Sequence, residues 1–174
     1  MEDSKPVCTP MVTLCSLISN DDSPIVNQLE YKFMIGILIY LIGTRPDIMH
    51  AVGIVGRFQA NPKESHPREI KRIFKYLQRT QGFGLRYPKY IDLTLHAYTD
   101  ANWVGNVDDR KSISGGAFYM GSQLVSWFSK KQSSISLSTT EVKYVAIASC
   151  CTQLLWMMQT LQDIQIKCSP PISI

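Results

Sequence analysis

Asp100 closes an alternating run in which Leu93, Leu95 and Ala97 share one side and Thr94, His96 and Tyr98 the other, the period of a strand. A carboxylate at a strand end can project past the sheet and hold a divalent metal. Hydrolysis of a phosphodiester by two metals needs several such oxygens converging, because the ions must stabilise both the attacking water and the leaving oxygen. One aspartate is too few, and a turn-forming aspartate would explain the same residue without chemistry. Glu141 is the second candidate, but it stands three residues after Ser138 in Ser-Thr-Thr-Glu, the pattern of a capping box that needs no metal.

The third feature is charge. Residues 63–89 carry eight basic side chains against two acidic ones, a surplus of six where the whole chain has a surplus of four. Arg68, Arg72, Lys75 and Arg79 recur at spacings that put them on one side of a helix, with Lys71 toward the flank. Such a side can neutralise phosphates with salt-sensitive, sequence-independent affinity. It reads equally as an ordinary solvated helix face, and both readings stay open at this point.

The elements that must position these residues follow from periodicity. Residues 1–25, rich in Ser, Thr, Pro and Asp, form an irregular lead-in. A helix is predicted over 26–42, with Leu29, Phe33, Ile37 and Tyr40 as its apolar side and burial nearly all round. Thr44-Arg-Pro-Asp supplies a cap, an early proline and a first-turn acid for a second helix over 45–59, whose stripe is Ile48, Ala51, Val52, Val55 and Phe58. A third spans 67–80 on Ile70, Ile73, Phe74 and Leu77, stopped by Gly82 and Gly84. Strands are then expected over 93–100, 115–120 and 123–129, with a turn at 106–111 and a hairpin at Gly121-Ser122. A long helix over 139–163 carries Tyr144, Ile147, Ala148, Cys151, Leu155 and Met158 as its stripe, and residues 172–174 begin a further strand.

Composition sets the outer bounds. With 174 residues, 45% hydrophobic and 18% charged, the chain can bury a core and is not a disordered polar sequence. Its most apolar run, residues 33–43, is shorter than the ~20 residues a spanning helix needs, and the N-terminus lacks the basic-then-apolar layout of a secretion signal. An intracellular protein, cytoplasmic or nuclear rather than secreted, with no membrane partner, is expected. Cys8, Cys15, Cys150, Cys151 and Cys168 contain no C-x-x-C pair and fit free thiols better than a disulfide framework or zinc site.

Several blocks together carry a resemblance. Tyr98-Thr-Asp-Ala-Asn-Trp-Val-Gly, Asp108-Asp-Arg-Lys-Ser-Ile-Ser-Gly, Val125-Ser-Trp-Phe-Ser-Lys-Lys-Gln and Leu137-Ser-Thr-Thr-Glu resemble, in order and spacing, the ribonuclease H domain of copia-type LTR retrotransposon Pol polyproteins. Upstream, Thr9-Pro-Met, Tyr31, Ile35-Gly, Leu38-Ile-Tyr-Leu, Thr44-Arg-Pro-Asp-Ile-Met, Arg57-Phe and Lys71-Arg-Ile-Phe-Lys-Tyr-Leu resemble the stretch joining reverse transcriptase to ribonuclease H. The resemblance implies an α/β (α+β) chain: lead-in 1–25, helical segment 26–89 like the end of reverse transcriptase, and a partial ribonuclease H-like domain 90–174. That domain would consist of a three-stranded antiparallel meander and a long helix.

The same resemblance implies the site. Asp100 matches the family's first metal-binding aspartate, and magnesium would be its cofactor in hydrolysis of the RNA strand of an RNA–DNA hybrid. The family's metal-binding glutamate matches Lys143, because this chain reads Thr-Glu-Val-Lys where relatives read Thr-Glu-Ala-Glu, so Glu141 is the remaining candidate. Asn102 and Asn106 stand where relatives commonly carry aspartate. The third aspartate belongs to a fourth strand beyond Ile174, so a truncated, inactive fragment is the reading this implies. The alternatives are a module that binds RNA–DNA duplex through Arg68, Arg72, Lys75, Arg79, Arg110 and Lys111, with Lys130 and Lys131, and a nuclease completed by a partner chain. Contact with the rest of a Pol polyprotein is the other partner expected.

Overall fold

In the computed structural model, residues 5–12, 17–19, 22–89, 93–106 and 108–166 are described. The expected strand at 172–174 lies outside them, as do Cys15 and Cys168. The chain divides into two compact units, residues 1–84 and 85–174, each with its own buried cluster.

The first unit is helical. Asn27 caps helix α1 (Gln28–Leu41), its side chain accepting from the N–H groups of Leu29 and Glu30. A single 3₁₀ turn (Pro46–Ile48) leads into α2 (Met49–Val55), a second one follows (Gly56–Phe58), and α3 (Ser65–Arg79) completes the unit. Its core joins Tyr31, Ile35 and Leu38 of α1 to Ile48, Ala51, Val52, Val55 and Phe58, and to Ile70, Ile73 and Tyr76 of α3. The stripes expected for the second and third helices are therefore the buried ones, with Phe74 and Leu77 half-buried beside them.

Two expectations change here. The face expected to bury on the first helix is the exposed one: Leu29, Phe33, Ile37 and Tyr40 face solvent, Tyr40 at 86%, while Tyr31, Ile35 and Leu38 reach the core. α1 is apolar on every side, so its sequence has almost no period from which the packed face can be chosen. Thr44 is not a cap either. Its hydroxyl donates back to the carbonyl of Leu41 (3.3 Å), and Arg45 precedes Pro46.

Arg45 and Asp47 instead tie the helices together. Arg45 Nε and Nη2 donate to the Asp47 carboxylate at 2.9 and 2.7 Å, and Nη1 and Nη2 donate to the carbonyl and hydroxyl of Thr80 at 3.0 and 2.6 Å. Tyr76 donates its hydroxyl to Asp47 (2.8 Å). Thr80, whose hydroxyl also donates to the Tyr76 carbonyl, closes α3 ahead of the two glycines expected to stop it. Burial works against the Asp47 charge, but the hydrogen bonds from Arg45 and Tyr76 outweigh it and hold the carboxyl below its ordinary range. His66 is buried and stacked on Phe58. Its Nδ1 accepts from the Lys63 N–H (3.0 Å) and its Nε2 meets the Ile18 carbonyl (3.1 Å), anchoring part of the lead-in.

The second unit is an antiparallel meander with one long helix. Strands β1 (Leu95–Asn102), β2 (Ile113–Met120) and β3 (Gln123–Lys131) pair in the order β1-β2-β3. Gly121, at φ 56°, supplies the left-handed residue of the hairpin. Helix α4 (Thr139–Asp163) packs against β1 and β2. Leu95, Ala97 and Phe118 meet Cys150, Leu154, Met157 and Leu161 in the core, with Val142 and Ala146 also buried.

The stripe expected on the long helix is wrong by about one residue step: Tyr144, Ile147 and Leu155 are exposed, and Val142, Ala146, Cys150, Leu154, Met157 and Leu161 are buried. The cause matches that in α1, apolar residues spread around the whole helix. All three tryptophans, Trp103, Trp127 and Trp156, belong to this unit.

Candidate functional site

β1 continues past Asp100, because Ala101 and Asn102 still pair with Ser114 and Ile113. Asp100 thus sits inside the strand rather than at its end. Alternation could not reveal this, since the strand ends on a small half-buried residue, Ala101, and an exposed polar one, Asn102. The Asp100 carboxylate accepts from the Ala101 N–H at 2.8 Å.

A cavity of about 350 Å³ opens beside it, lined by Tyr98, Thr99, Asp100, Ala101, Lys143, Ala146 and Ile147. Four consecutive residues of β1 and one side of α4 line it. α4 therefore brings Lys143, and not Glu141, to the cavity that Asp100 lines. Glu141 lies outside that lining and completes the capping box: its carboxylate accepts from the Leu137 N–H (2.8 Å) while the Ser138 hydroxyl accepts from the Glu141 N–H (3.1 Å).

One carboxylate and one ammonium form a donor set that does not fit magnesium, which requires several oxygens in near-octahedral geometry. Among the described residues, no group of three His, Cys, Asp or Glu side chains is placed to hold a metal.

The other charged residues fall into two settings. In the turn before β2, Asp109 accepts from Lys131 Nζ (2.6 Å), from the Asn106 amide and from the Lys111 N–H (3.2 Å). Partial burial opposes its ionisation, yet the Lys131 hydrogen bond, with those from Asn106 and Lys111, lowers its pKa from 3.8 to about 2. Lys131 is thus committed to an ion pair, whereas Arg110, at φ 53°, and Lys130 are exposed.

On α3, the lead-in lies along part of the basic side. Arg72 Nη2 donates to the Thr9 hydroxyl (2.9 Å) and Arg79 Nη1 to Cys8 Sγ (2.8 Å), while Val7 and Met11 pack on the core. Arg68 and Lys71 are exposed and share a cavity of about 410 Å³ with Glu30 and Glu64. Sequence periodicity gives no sign of the contacts from residues 7–11, because a segment without period announces no packing surface. It also missed the Arg45–Asp47–Thr80 group, in which Arg45 and Thr80 are 35 residues apart.

The retrovirus-related Pol polyprotein from transposon RE2 of Arabidopsis thaliana is 36% identical to this chain over 171 residues, 98% of its length. The corresponding polyprotein from transposon TNT 1-94 of Nicotiana tabacum is 36% identical over 94% of the chain. The chain belongs to the copia-type retrotransposon Pol polyproteins. It spans 12% of the RE2 protein and 13% of the TNT 1-94 protein. A shorter relative is matched over nearly all of its length: the secreted RxLR effector protein 161 of Plasmopara viticola is 37% identical over 133 residues, which are 94% of that protein and 76% of this chain. No protein-family model matches, and no solved structure matches. Among the described residues of this Pol segment, no helix is long and apolar enough to cross a membrane.

Proposed function

We propose that this chain corresponds to the region of a copia-type Pol polyprotein where reverse transcriptase meets ribonuclease H, and that its ancestral activity, hydrolysis of RNA in an RNA–DNA hybrid, is lost here. The observation that carries this reading is that Asp100 and Lys143 line one cavity. A fixed positive charge repels the ions that a carboxylate should gather, and recruiting Glu141 instead would leave the Leu137 N–H at the head of α4 without its acceptor. Magnesium does not bind this cavity in the proposed state.

The test is a hybrid-cleavage assay with magnesium or manganese. No turnover is expected. Turnover that disappears with Asp100→Asn overturns the reading.

A second reading, weak binding of RNA–DNA duplex, is favoured by the exposed Arg68 and Lys71 on a segment with a surplus of six positive charges. Arg110, Lys111 and Lys130 would add backbone contacts, and Arg72, Lys75 and Arg79 fewer than expected, because Thr9 and Cys8 already engage two of them. Retention of the chain on duplex, falling steeply with salt, is the expected result, and retention independent of salt excludes it. The rest of the polyprotein is the further partner this reading includes.

A further inference from the structure

Two cations on the basic side of α3 are held by neutral acceptors of the lead-in: Arg72 by the Thr9 hydroxyl and Arg79 by Cys8 Sγ. The segment that carries these acceptors is fixed on either side of them, because Val7 and Met11 pack against the helical core. Cys8 and Thr9 themselves are exposed. The hold on Arg72 is also incomplete. At Arg45 the same guanidinium edge takes an oxyanion with both of its donors, Nε and Nη2 reaching the two oxygens of Asp47. Arg72 engages Thr9 through Nη2, and among the described residues its Nε is buried without a partner. A hydroxyl offers one oxygen where that edge suits two, and neither a hydroxyl nor a thiol carries the charge that strengthens an arginine hydrogen bond.

We propose that Cys8 and Thr9 form an intramolecular brake, which withholds Arg72 and Arg79 from nucleic-acid phosphates so that the chain at rest binds duplex through only part of its basic side. The brake rests on the reading of weak duplex binding and sets which cations that binding recruits. Because the acceptors belong to the same chain, they meet the arginines without the cost of bringing two molecules together, which lets weak bonds compete with a phosphate. Their weakness keeps the hold reversible. Release requires rotation of the two arginine side chains alone, so Val7 and Met11 stay seated and the core stays closed. Each released guanidinium adds a phosphate contact, so the brake acts on affinity and on its salt dependence together.

Binding of an RNA–DNA duplex to the full chain, followed over a series of salt concentrations, tests this. Cys8→Ala combined with Thr9→Val removes both acceptors and keeps the anchors. It is expected to bind about threefold to tenfold tighter, with a salt slope steeper by roughly two, one phosphate for each released arginine. Cys8→Ser combined with Thr9→Ser keeps both acceptors and is expected to match the parent. In a chain that also carries Arg72→Gln and Arg79→Gln, the acceptor-free pair changes neither quantity. A parent that binds, with an acceptor-free variant that binds no tighter and with no steeper slope, overturns the brake and leaves the binding reading standing. So does an equal gain in the serine pair, which reports a loosened lead-in instead. If none of these chains binds duplex even at low salt, the brake and the reading beneath it both fall.

Discussion

At Asp109 the local charge balance has a measurable pH signature. Its carboxyl is held at about 2 in the folded chain against an ordinary 3.8, so its ionised form stabilises the turn above pH ~4, and that contribution is lost as pH falls from about 4 toward 2. A melting series across this window is expected to show a decline that Asp109→Asn lacks. Lys143 governs the neighbouring chemistry in the opposite sense. Lys143→Glu removes the ammonium beside Asp100 and adds a second carboxylate, so manganese affinity measured by paramagnetic broadening is expected to rise at least about tenfold. The rise disappears when Asp100→Asn is added. The candidate residues were visible from type and spacing, Asp100 from alternation and Glu141 from its distance to Ser138. Which of Glu141 and Lys143 shares the Asp100 cavity was not, because both flank the buried stripe of α4 and only packing distinguishes them.

Among the elements, α1 separates apolar character from burial. Ile35→Ala removes a fully buried side chain and is expected to cost about 2–5 kcal/mol, whereas Phe33→Ala, two residues earlier, should change stability by no more than about 0.5 kcal/mol. Denaturant midpoints measure both. β2 has its own constraint at Gly116, where an added Cβ would run into the Phe128 ring, which packs against Phe118. Gly116→Ala is expected to destabilise the sheet by about 1–3 kcal/mol. Strand and helix positions follow closely from the chain's pattern, since the switch from helical spacing to alternation after Pro88 and the turn residues at 106–111 and 121–122 are local signals. The packed faces of α1 and α4 do not, because nearly uniform apolarity leaves tertiary contact to choose.

For the whole molecule, charge and core are distributed unevenly along the chain. If duplex binding depends on the surplus over residues 63–89, reversing Arg68 and Lys71 to Glu should reduce both the affinity and its salt slope more than reversing Arg72 and Arg79, which already donate to Thr9 and Cys8. Filter binding at several salt concentrations reads both quantities. The placement of the tryptophans makes the chain optically asymmetric. Residues 1–84 contain only tyrosine and phenylalanine chromophores, so emission excited selectively through indole follows the meander and α4 and is blind to the three-helix unit. Far-ultraviolet dichroism follows both units. Unfolding curves recorded by the two signals therefore measure how strongly the two cores are coupled: superimposable curves mean one cooperative transition, and displaced midpoints mean two.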